Sequence, residues 1–570
     1  MENSPGKSYL KLGWKLNKTL TPSYWMEPDA KPGKQTNDDL VLIPADTVGT
    51  HTAIIAQSGS GKSFFLGRLI EEIIINTKSR CMIFDPNSDY RMINDVVEEK
   101  YWEEAVYDHS RGVGRLPHEL NQKDFSIPWQ NKTKRIFVGP SLTGNLFTQL
   151  QISLPALSID FFADQVDSIK RSELYHCHEL VKALAILLQI KHISPSSRID
   201  ILTKSERILR VARSDNDIRK TLEEEFNEDE LLEKADKKSS LISSIIPFFL
   251  FSLNGVPSKD KGEVKKYIDL IVSVFPYVSP EIQRFYFGKA REFHAQGILK
   301  TKINELKKLG SLFSSPKSIE VVDLPSFPDN QSKMLALTSI LAIEMERART
   351  TWSNAMSKNP DEDERVPTFI VVDEAHNIIP KVPQGIASGS LREQFRTIAA
   401  EGRKYGLFLI LCTQRPDKID PMVLSECENS AIMKLGSRSV LNITTELLGL
   451  EDIPENQLSK CLEFETGRVL INGKWSIDGP QILFSAMRRT VEGGRSLRTS
   501  HWATPEILKN EDKDDQVPEK KSTQKGSTKK TAVKKVLVKK VMPKKVAPKT
   551  ITTDLEKDDD ITTDLKSTKE

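Results

Sequence analysis

Short apolar runs bounded by turn or polar residues mark five predicted β-strands along the chain. These runs are Ala53–Ile55, Cys81–Phe84, Ile319–Val322, Phe369–Val372 and Leu407–Leu411. Continuous apolar runs of this length are typical of strands buried on both faces of a parallel sheet. From about residue 163 to residue 312 the apolar positions instead recur at three- and four-residue steps, which predicts helices. The pattern favours an α/β fold in which a large all-helical insertion interrupts a mainly parallel sheet.

Within the predicted insertion, amphipathic stretches lie near Ile201–Val211, Ile268–Val274 and Ile303–Leu312. Downstream, the pattern of Leu391–Ala399 predicts a helix with Arg392 and Arg396 on one face. That face is either exposed to solvent or lines the pore of a ring. The predicted organisation is a short N-terminal extension (1–40), a first core part (41–160), the insertion (161–316), a second core part (317–505) and a C-terminal tail (506–570).

Composition narrows the class of protein. The 570 residues are 38% hydrophobic, enough for a real core, and the five scattered cysteines argue against a disulfide scaffold and fit a reducing compartment. The N-terminus shows no secretory pattern. The most apolar window, Ser240–Leu253, is broken by Pro247 and is shorter than a membrane span. We therefore expect a cytoplasmic protein without a membrane span.

The net charge of +3 hides a strong asymmetry in the tail. Twelve lysines and no acidic residue lie between Lys520 and Lys549, and both flanks of this stretch are acidic. Such a low-complexity segment without aromatic residues cannot offset the entropy cost of folding, so we expect it to be disordered. Its lysines suit phosphate contacts with nucleic acid, and a purely solubilising tail is equally compatible with the sequence.

A phosphate-binding loop follows the first predicted strand. The strand leads into a glycine-rich turn and then into the amphipathic helix that begins near Phe64, the context that a P-loop requires. Lys62 would reach the β- and γ-phosphates of ATP, and the Ser63 hydroxyl would ligate Mg²⁺. The first glycine of the usual pattern is replaced by Ala56, which resists positive φ. The predicted nucleotide-binding residues are Gln57, Ser58, Gly59, Ser60, Gly61, Lys62 and Ser63.

Two adjacent carboxylates end the fourth predicted strand. At the edge of a parallel sheet, Asp373 can hold the Mg²⁺ shell, and Glu374 can polarise the water that attacks the γ-phosphate. After the next strand, Gln414 is the candidate γ-phosphate sensor, with Thr413 as a weaker alternative. Arg403 is either an arginine finger that acts across a subunit boundary or a solvated cation near a helix end.

Three further signals have more than one interpretation. Asp85 and Asp89 follow the second strand and either orient the catalytic face or form a plain turn. Arg488 and Arg489 precede two glycines and indicate either an interfacial or DNA-facing loop or a surface turn. The pattern His176-Cys177-His178 suggests zinc, but neighbours on a helix point in different directions, so we reject a metal site there.

Together these motifs resemble the HerA-like branch of the HerA/FtsK superfamily of P-loop motor ATPases. The resemblance is carried by residues 57–63, 85–90, 372–377, 400–406 and 413–416, and it covers about residues 40–165 and 317–495. It implies a RecA-like P-loop core, ATP and Mg²⁺ as ligands, and a hexameric ring that translocates on double-stranded DNA beside a nuclease or other effector. It also implies that Gln414 is the sensor and Arg403 the finger acting in trans.

The chain departs from the family pattern in several places. Asn87 and Asp89 replace the usual His and Glu of the segment after the second strand. Only about forty residues precede the first predicted core strand, so we expect the N-terminal β-barrel of HerA proteins to be missing or reduced. Two alternative functions therefore remain: an ATP-dependent switch or scaffold for an effector complex, and a motor of the conjugation or secretion type.

Overall fold

A computed structural model describes residues 8–16, 40–98, 122–154, 157–192, 198–226, 261–302, 317–357, 359, 363 and 365–493. The described residues lie in one compact unit, Met1–Ser496. The predicted Lys-rich tail and the predicted helical stretch Ile303–Leu312 fall outside the described residues.

The described strands are β1 (Tyr9–Lys15), β2 (Leu40–Pro44), β3 (Thr52–Ile55), β4 (Arg80–Asp85), β5 (Lys134–Val138), β6 (Thr148–Gln149), β7 (Ile152–Ser153), β8 (Leu299–Lys300), β9 (Ile319–Asp323), β10 (Thr368–Val372), β11 (Leu407–Thr413), β12 (Asn429–Ile432), β13 (Arg468–Asn472) and β14 (Gln481–Ser485). The described α-helices are α1 (Lys62–Asn76), α2 (Gln122–Gln130), α3 (Asp160–Ala163), α4 (Ser168–Lys191), α5 (Ile201–Val211), α6 (Asp215–Glu225), α7 (Lys261–Val274), α8 (Pro280–Ala295), α9 (Asn330–Met356), α10 (Gly385–Tyr405), α11 (Pro421–Ser425), α12 (Arg438–Leu448) and α13 (Glu455–Leu458).

Twelve strands form one sheet, in the order β2-β1-β14-β13-β12-β3-β11-β10-β4-β9-β5-β6. The eight strands from β12 to β6 run parallel, and the remaining pairs, from β12 to β2, are antiparallel. All five strands predicted from apolar runs are present, and the expected α/β fold with a mainly parallel sheet is confirmed. The phosphate-loop strand β3 has β11 on one side and β12 on the other, and β10 lies beyond β11.

Both faces of the parallel sheet are buried, as the continuous apolar runs predict. Along β3 and β4 successive residues alternate between two cores: Ile55 and Phe84 belong to the core beneath the insertion, and Ile54 and Ile83 to the core beneath α1. This period of two is the geometry of an extended strand. It leaves the ends of the strands as the places where polar side chains gather.

The insertion is helical in its described parts apart from the two-residue strand β8, which pairs with β7. It joins the core through α3, whose Asp160 accepts a hydrogen bond from the Ser390 hydroxyl (2.5 Å). Asp164 accepts hydrogen bonds from the backbone N–H groups of Ile386 (2.5 Å) and Ala387 (3.1 Å) at the start of α10. The predicted boundary of the insertion is therefore a packed contact with the helix that follows the Asp373–Glu374 strand.

The N-terminal residues contribute to the sheet. β1 pairs with β14 on one side and with β2 on the other, and its Leu10, Leu12 and Trp14 are buried. The sequence interpretation placed these residues in an extension outside the core. The alternation of apolar positions at 10, 12 and 14 is the signal that predicts this strand. Among the described helices, none has the length and apolar character needed to cross a membrane.

Candidate functional site

The turn between β3 and α1 has the backbone conformation of a phosphate loop. Gly59 (φ 77°) and Gly61 (φ 91°) lie in the left-handed region, which glycine adopts without a Cβ penalty. Gly61 is also the N-cap residue of α1. Two hydrogen bonds hold the turn in place: the Thr466 hydroxyl donates to the Gly59 carbonyl (3.0 Å), and the Gly467 N–H donates to the Ser60 carbonyl (3.0 Å). The N-terminus of α1 thus faces an anion-binding turn.

Ala56 fits the loop without strain. Among the described residues, only Ser88 and Glu374 combine a side chain larger than glycine's with positive φ. Ala56 therefore does not need the conformation that alanine resists. Its N–H donates to the Thr413 carbonyl (3.1 Å), and its methyl group is buried. The substitution of the usual first glycine leaves the geometry of the loop intact.

Lys62 lies between the two carboxylates that follow β10. Its Nζ is 2.7 Å from Asp373 Oδ1 and 2.5 Å from Glu374 Oε1, and all three side chains are buried. The residues are separated by more than 300 positions in the sequence. They meet because the carboxyl ends of β3 and β10 lie at the same edge of the sheet, with only β11 between them.

Gln414 completes this group from the end of β11, because its Nε2 donates to Glu374 Oε1. Glu374 has a left-handed backbone (φ 45°), which begins a turn immediately after the strand. The Thr413 hydroxyl is 3.0 Å from His376 Nδ1 and accepts from the Arg415 N–H (3.0 Å), so it supports the turn. Of the two candidates after β11, Gln414 is the one that contacts a predicted catalytic side chain.

The electrostatics of the site are set by burial and by this shared lysine. Burial by itself would lower the pKa of Lys62, but Cys412 and the carboxylates of Asp373 and Glu374 together raise it above its ordinary value. Burial lowers the pKa of His376 below its ordinary value, so a neutral imidazole faces Glu374 near neutral pH. Two carboxylate oxygens of the site, Asp373 Oδ2 and Glu374 Oε2, are buried without a hydrogen-bond partner.

The loop after β4 extends the site. The Ser63 hydroxyl donates to Asp89 Oδ2 (3.1 Å). Asp85 accepts from the N–H groups of Asn87 (3.2 Å), Asp89 (3.1 Å) and Tyr90 (2.8 Å), which fixes the loop. Burial raises the pKa of Asp85 to about 7, and burial together with the Asp373 charge raises that of Asp89. The sequence left this segment open between a functional loop and a plain turn, and the structure places Asp89 against the predicted Mg²⁺ ligand Ser63.

Arg403 is not part of this group within one chain. It lies in the last turn of α10, whose end leads into the start of β11, at the sheet edge opposite the phosphate loop. Its half-exposed side chain pairs with Glu428, which also binds Lys474 (2.5 Å). A contact between Arg403 and a nucleotide would therefore have to come from another copy of the chain.

The other arginines that the sequence analysis considered have structural partners. Arg396 binds Asp420, the N-cap of α11, at 2.7 Å and 3.2 Å. Arg488 and Arg489 are almost fully buried, so the interpretation as a DNA-facing loop or a surface turn is wrong. Both arginines pack against elements of the nucleotide site, which a pattern of charged residues beside glycines does not reveal.

The segment His176-Cys177-His178 is also structural. His178 Nδ1 is 2.8 Å from the Tyr286 hydroxyl, and Cys177 is buried on α4. Over the part of the chain that the structure describes, no three His, Cys, Asp or Glu side chains are grouped as a metal site would require.

Comparisons with known proteins agree with the motifs. The chain is 30% identical over 139 residues to the "DNA double-strand break repair helicase HerA" of Pyrococcus furiosus, which covers 21% of this chain and 24% of the relative. It is 28% identical over 155 residues to the protein of the same name from Sulfolobus acidocaldarius, covering 27% and 29% of the two chains. The chain thus matches less than a third of the length of these curated relatives.

Among solved structures, the chain is similar to the bacterial conjugative coupling protein TrwBdeltaN70, with 12% identity and a TM-score of 0.35 over 87% of this chain and 99% of that one. It is also similar to the genome packaging NTPase B204 of Sulfolobus turreted icosahedral virus 2, with 16% identity and a TM-score of 0.20 over 29% and 68%.

A family model also matches the chain. The model of the family described as "Helicase HerA, central domain" matches residues 32–342, more than half of the 570-residue chain. This match contains the phosphate loop, the Asp85–Tyr90 loop and the helical insertion, and it ends before Asp373. Asp373 and Glu374, which lie beyond the matched residues, contact Lys62 in the structure. The chain therefore belongs to the HerA helicase central-domain family.

Proposed function

We propose that this chain is an ATP-hydrolysing motor that translocates on double-stranded DNA as a ring of six copies, together with a nuclease or another effector protein. The observation that carries the proposal is the contact of Lys62 Nζ with both Asp373 and Glu374 at the mouth of the phosphate loop. The HerA relatives are named as DNA double-strand break repair helicases, which supports DNA as the substrate.

ATP handling follows from these contacts. The buried lysine compensates only part of the negative charge of the two carboxylates. A triphosphate in the loop competes for Lys62 with its own negative charge, and the lysine then leaves Glu374 free to accept a proton from the attacking water. Gln414 donates to the same Glu374 oxygen, which supports its proposed role as the γ-phosphate sensor. Phosphoryl transfer needs this positioning and charge compensation more than covalent help from the protein.

The side chains present fit Mg²⁺. Asp373 Oδ2 is buried without a hydrogen-bond partner, and the hydroxyl of Ser63 and the carboxylate of Asp89 supply further hard oxygen donors nearby. When bound with the nucleotide, Mg²⁺ would neutralise the charge that develops on the phosphates. Asp373 and Ser63 are the residues we propose to hold it.

Arg403 supports a ring. Its half-exposed side chain lies at the sheet edge opposite the phosphate loop, so an arginine finger would act on the nucleotide of a neighbouring copy. Hydrolysis would then depend on assembly, and Arg403→Ala should lower the rate only where copies meet. Mixing Arg403→Ala chains with Lys62→Ala chains tests this, because each mixed interface can regain one complete site. No regained activity on mixing would contradict the role in trans.

The decisive test is the steady-state ATPase rate with and without linear double-stranded DNA, beside Lys62→Ala as the blank. Stimulation by DNA that is absent in the variant would support the proposed motor. Hydrolysis that DNA does not change would point to a protein substrate, as for a secretion-type motor. Bound ATP without hydrolysis above the blank would favour the switch or scaffold.

The Lys-rich tail adds a separate question about DNA. Twelve phosphate contacts would give a steep fall of affinity with salt, so a chain ending at residue 510 should show a flatter dependence of DNA binding on salt concentration. An unchanged slope would assign the tail to solubility.

A further inference from the structure

The segment that follows β14 crosses the phosphate-loop helix. Arg488 is 2% exposed, and its side chain passes α1 at Gly67, where a Cβ would lie only 2.5 Å from Arg488 Cδ. Glycine inside a helix costs about 0.5–1 kcal/mol relative to alanine. The glycine at this position is therefore what allows the long cationic side chain to pack directly on α1.

Beyond α1, Arg488 holds the backbone of the loop that ends at Asp89. Its Nη1 donates to the Asp89 carbonyl (3.0 Å), and its guanidinium carbon lies 4.6 Å from the centre of the buried Tyr90 ring. The Gly493 N–H donates to the same carbonyl (3.1 Å). A Cβ at Gly493 would meet the Ser88 carbonyl at 2.2 Å, so this contact is as close as the backbone permits.

The loop held by Arg488 carries the carboxylate that contacts Ser63. The Asp89 N–H is bound by Asp85 (3.1 Å), its carbonyl by Arg488, and its side chain by the Ser63 hydroxyl (3.1 Å). With the Gly493 N–H on the same carbonyl, three hydrogen bonds to the Asp89 backbone therefore set the direction of its side chain. Removing one of these hydrogen bonds would let the Asp89 carboxylate move relative to Ser63. None of the groups that make them contacts Ser63 itself.

We propose that Arg488 is a positioning residue for the nucleotide site: it fixes Asp89 so that the carboxylate stands beside Ser63, where a magnesium–nucleotide complex would bind. An anionic oxygen held at this point favours a divalent cation, and a displaced one favours it less. The inference rests on the proposed ATP-dependent function. It assigns to the last described segment of the chain a role in cation-dependent nucleotide binding.

The neighbouring Arg489 provides a matched control. It is 5% exposed and belongs to the same segment, but its guanidinium pairs with Glu71 (3.1 Å) and Glu72 (2.6 Å) on α1. Loss of Arg488 removes buried hydrogen bonds of a charged group, loss of Arg489 removes buried ion pairs, and either loss lowers stability. Of the two, Arg488 is the one whose side chain donates to the Asp89 carbonyl. Only its loss should therefore change how strongly Mg²⁺ increases nucleotide affinity.

The experiment measures the affinity of a fluorescent ATP analogue with Mg²⁺ and with EDTA. In Arg488→Gln the gain in affinity that Mg²⁺ provides should fall roughly tenfold, the value of one charge-assisted hydrogen bond, with the EDTA value unchanged. In Arg489→Gln the gain should equal that of the wild type. In an Asp89→Asn background, Arg488→Gln should cause little further loss, because both changes act through one carboxylate.

An unchanged Mg²⁺ gain in Arg488→Gln, or an equal loss in Arg489→Gln, would overturn the proposal. Should the glutamine variant not fold, Arg488→Lys keeps the charge, loses the fork of donors and should show the same loss. If the wild type binds the analogue and the Arg488 variants bind it with the same Mg²⁺ gain, only the role of Arg488 is excluded. Wild-type protein that binds no nucleotide would remove the proposed function and this role with it.

Discussion

Buried charges gather at both edges of the parallel sheet, and the two clusters are built differently. At the nucleotide edge, the single cation Lys62 is shared by Asp373 and Glu374, and Asp373 Oδ2 has no hydrogen-bond partner. The charge of this cluster is therefore incompletely compensated. A site of this kind can bind a further cation, and its lysine can exchange the carboxylates for phosphate groups.

The opposite edge is cross-braced. Glu344 on α9 binds both Arg80 (2.5 Å) and Arg347, and Glu320 on β9 binds Arg80 (3.2 Å). Arg80 Nε also donates to the Thr368 hydroxyl (2.9 Å) at the start of β10. Burial would raise the pKa of Glu344, but Arg80 and Arg347 together lower it below its ordinary value. Glu320 Oε1 also lacks a hydrogen-bond partner, so the clusters differ in their cations: Arg80 and Arg347 serve two carboxylates here, whereas one lysine serves two at the nucleotide edge. This difference suits one edge to hold the fold and the other to exchange partners.

The largest effect should come from the nucleotide edge. Glu374→Gln keeps the shape of the side chain and removes the base, so the ATPase rate should fall by a factor of about 10²–10⁴. Binding of an ATP analogue should stay near the wild-type value, and this serves as the control for folding. Steady-state hydrolysis measures the first quantity and analogue titration the second. A wild-type rate would exclude Glu374 as the base.

The same kind of substitution at the opposite edge should affect stability instead. Glu344→Gln leaves the buried Arg80 and the partly buried Arg347 without their shared carboxylate, and breaking such a network costs about 3–5 kcal/mol in the free energy of unfolding. Urea unfolding compares this variant with Glu374→Gln, which should lose far less. Equal losses in the two variants would mean that the clusters do not differ in the way proposed here. The ATPase rate of folded Glu344→Gln should match the wild type.

A smaller and pH-dependent effect should come from His51, also at the opposite edge. Its Nδ1 accepts from the Leu409 N–H (2.9 Å) and its Nε2 is 3.0 Å from the Ala399 carbonyl. Burial lowers the pKa of His51 from 6.5 to about 4. The unfolded chain therefore binds more protons between these values, and stability present above pH 6.5 is lost as the pH falls towards 4, by about 3 kcal/mol at most.

Urea unfolding at several pH values between 4 and 7 checks this prediction. His51→Gln offers an acceptor and a donor in place of the imidazole but does not titrate, so its loss of stability towards pH 4 should be smaller than that of the wild type. A parallel dependence in both proteins would show that other groups, such as the buried His178, dominate the acid response.

Several features were accessible from the sequence because they are local. The apolar runs predicted five core strands, and the glycines at 59 and 61 predicted a turn that requires positive φ. The spacing in Ile201–Val211 predicted α5 with its observed bounds. A backbone conformation and a buried face are dictated by neighbouring residues, so a single stretch of sequence carries enough information to predict them.

Partnerships between distant residues were decided by the tertiary structure. Strand order brings Lys62 to Asp373 and Glu374, and it brings the N-terminal strand β1 beside β14. Arg488 followed a pattern that resembles a surface loop, yet the fold buries it against Asp89. The free energy of a buried charge depends on which opposite charge or hydrogen-bond partner lies within reach. The sequence by itself determined which residues could carry the chemistry, and only the packing of the sheet and its connections decided which of them meet.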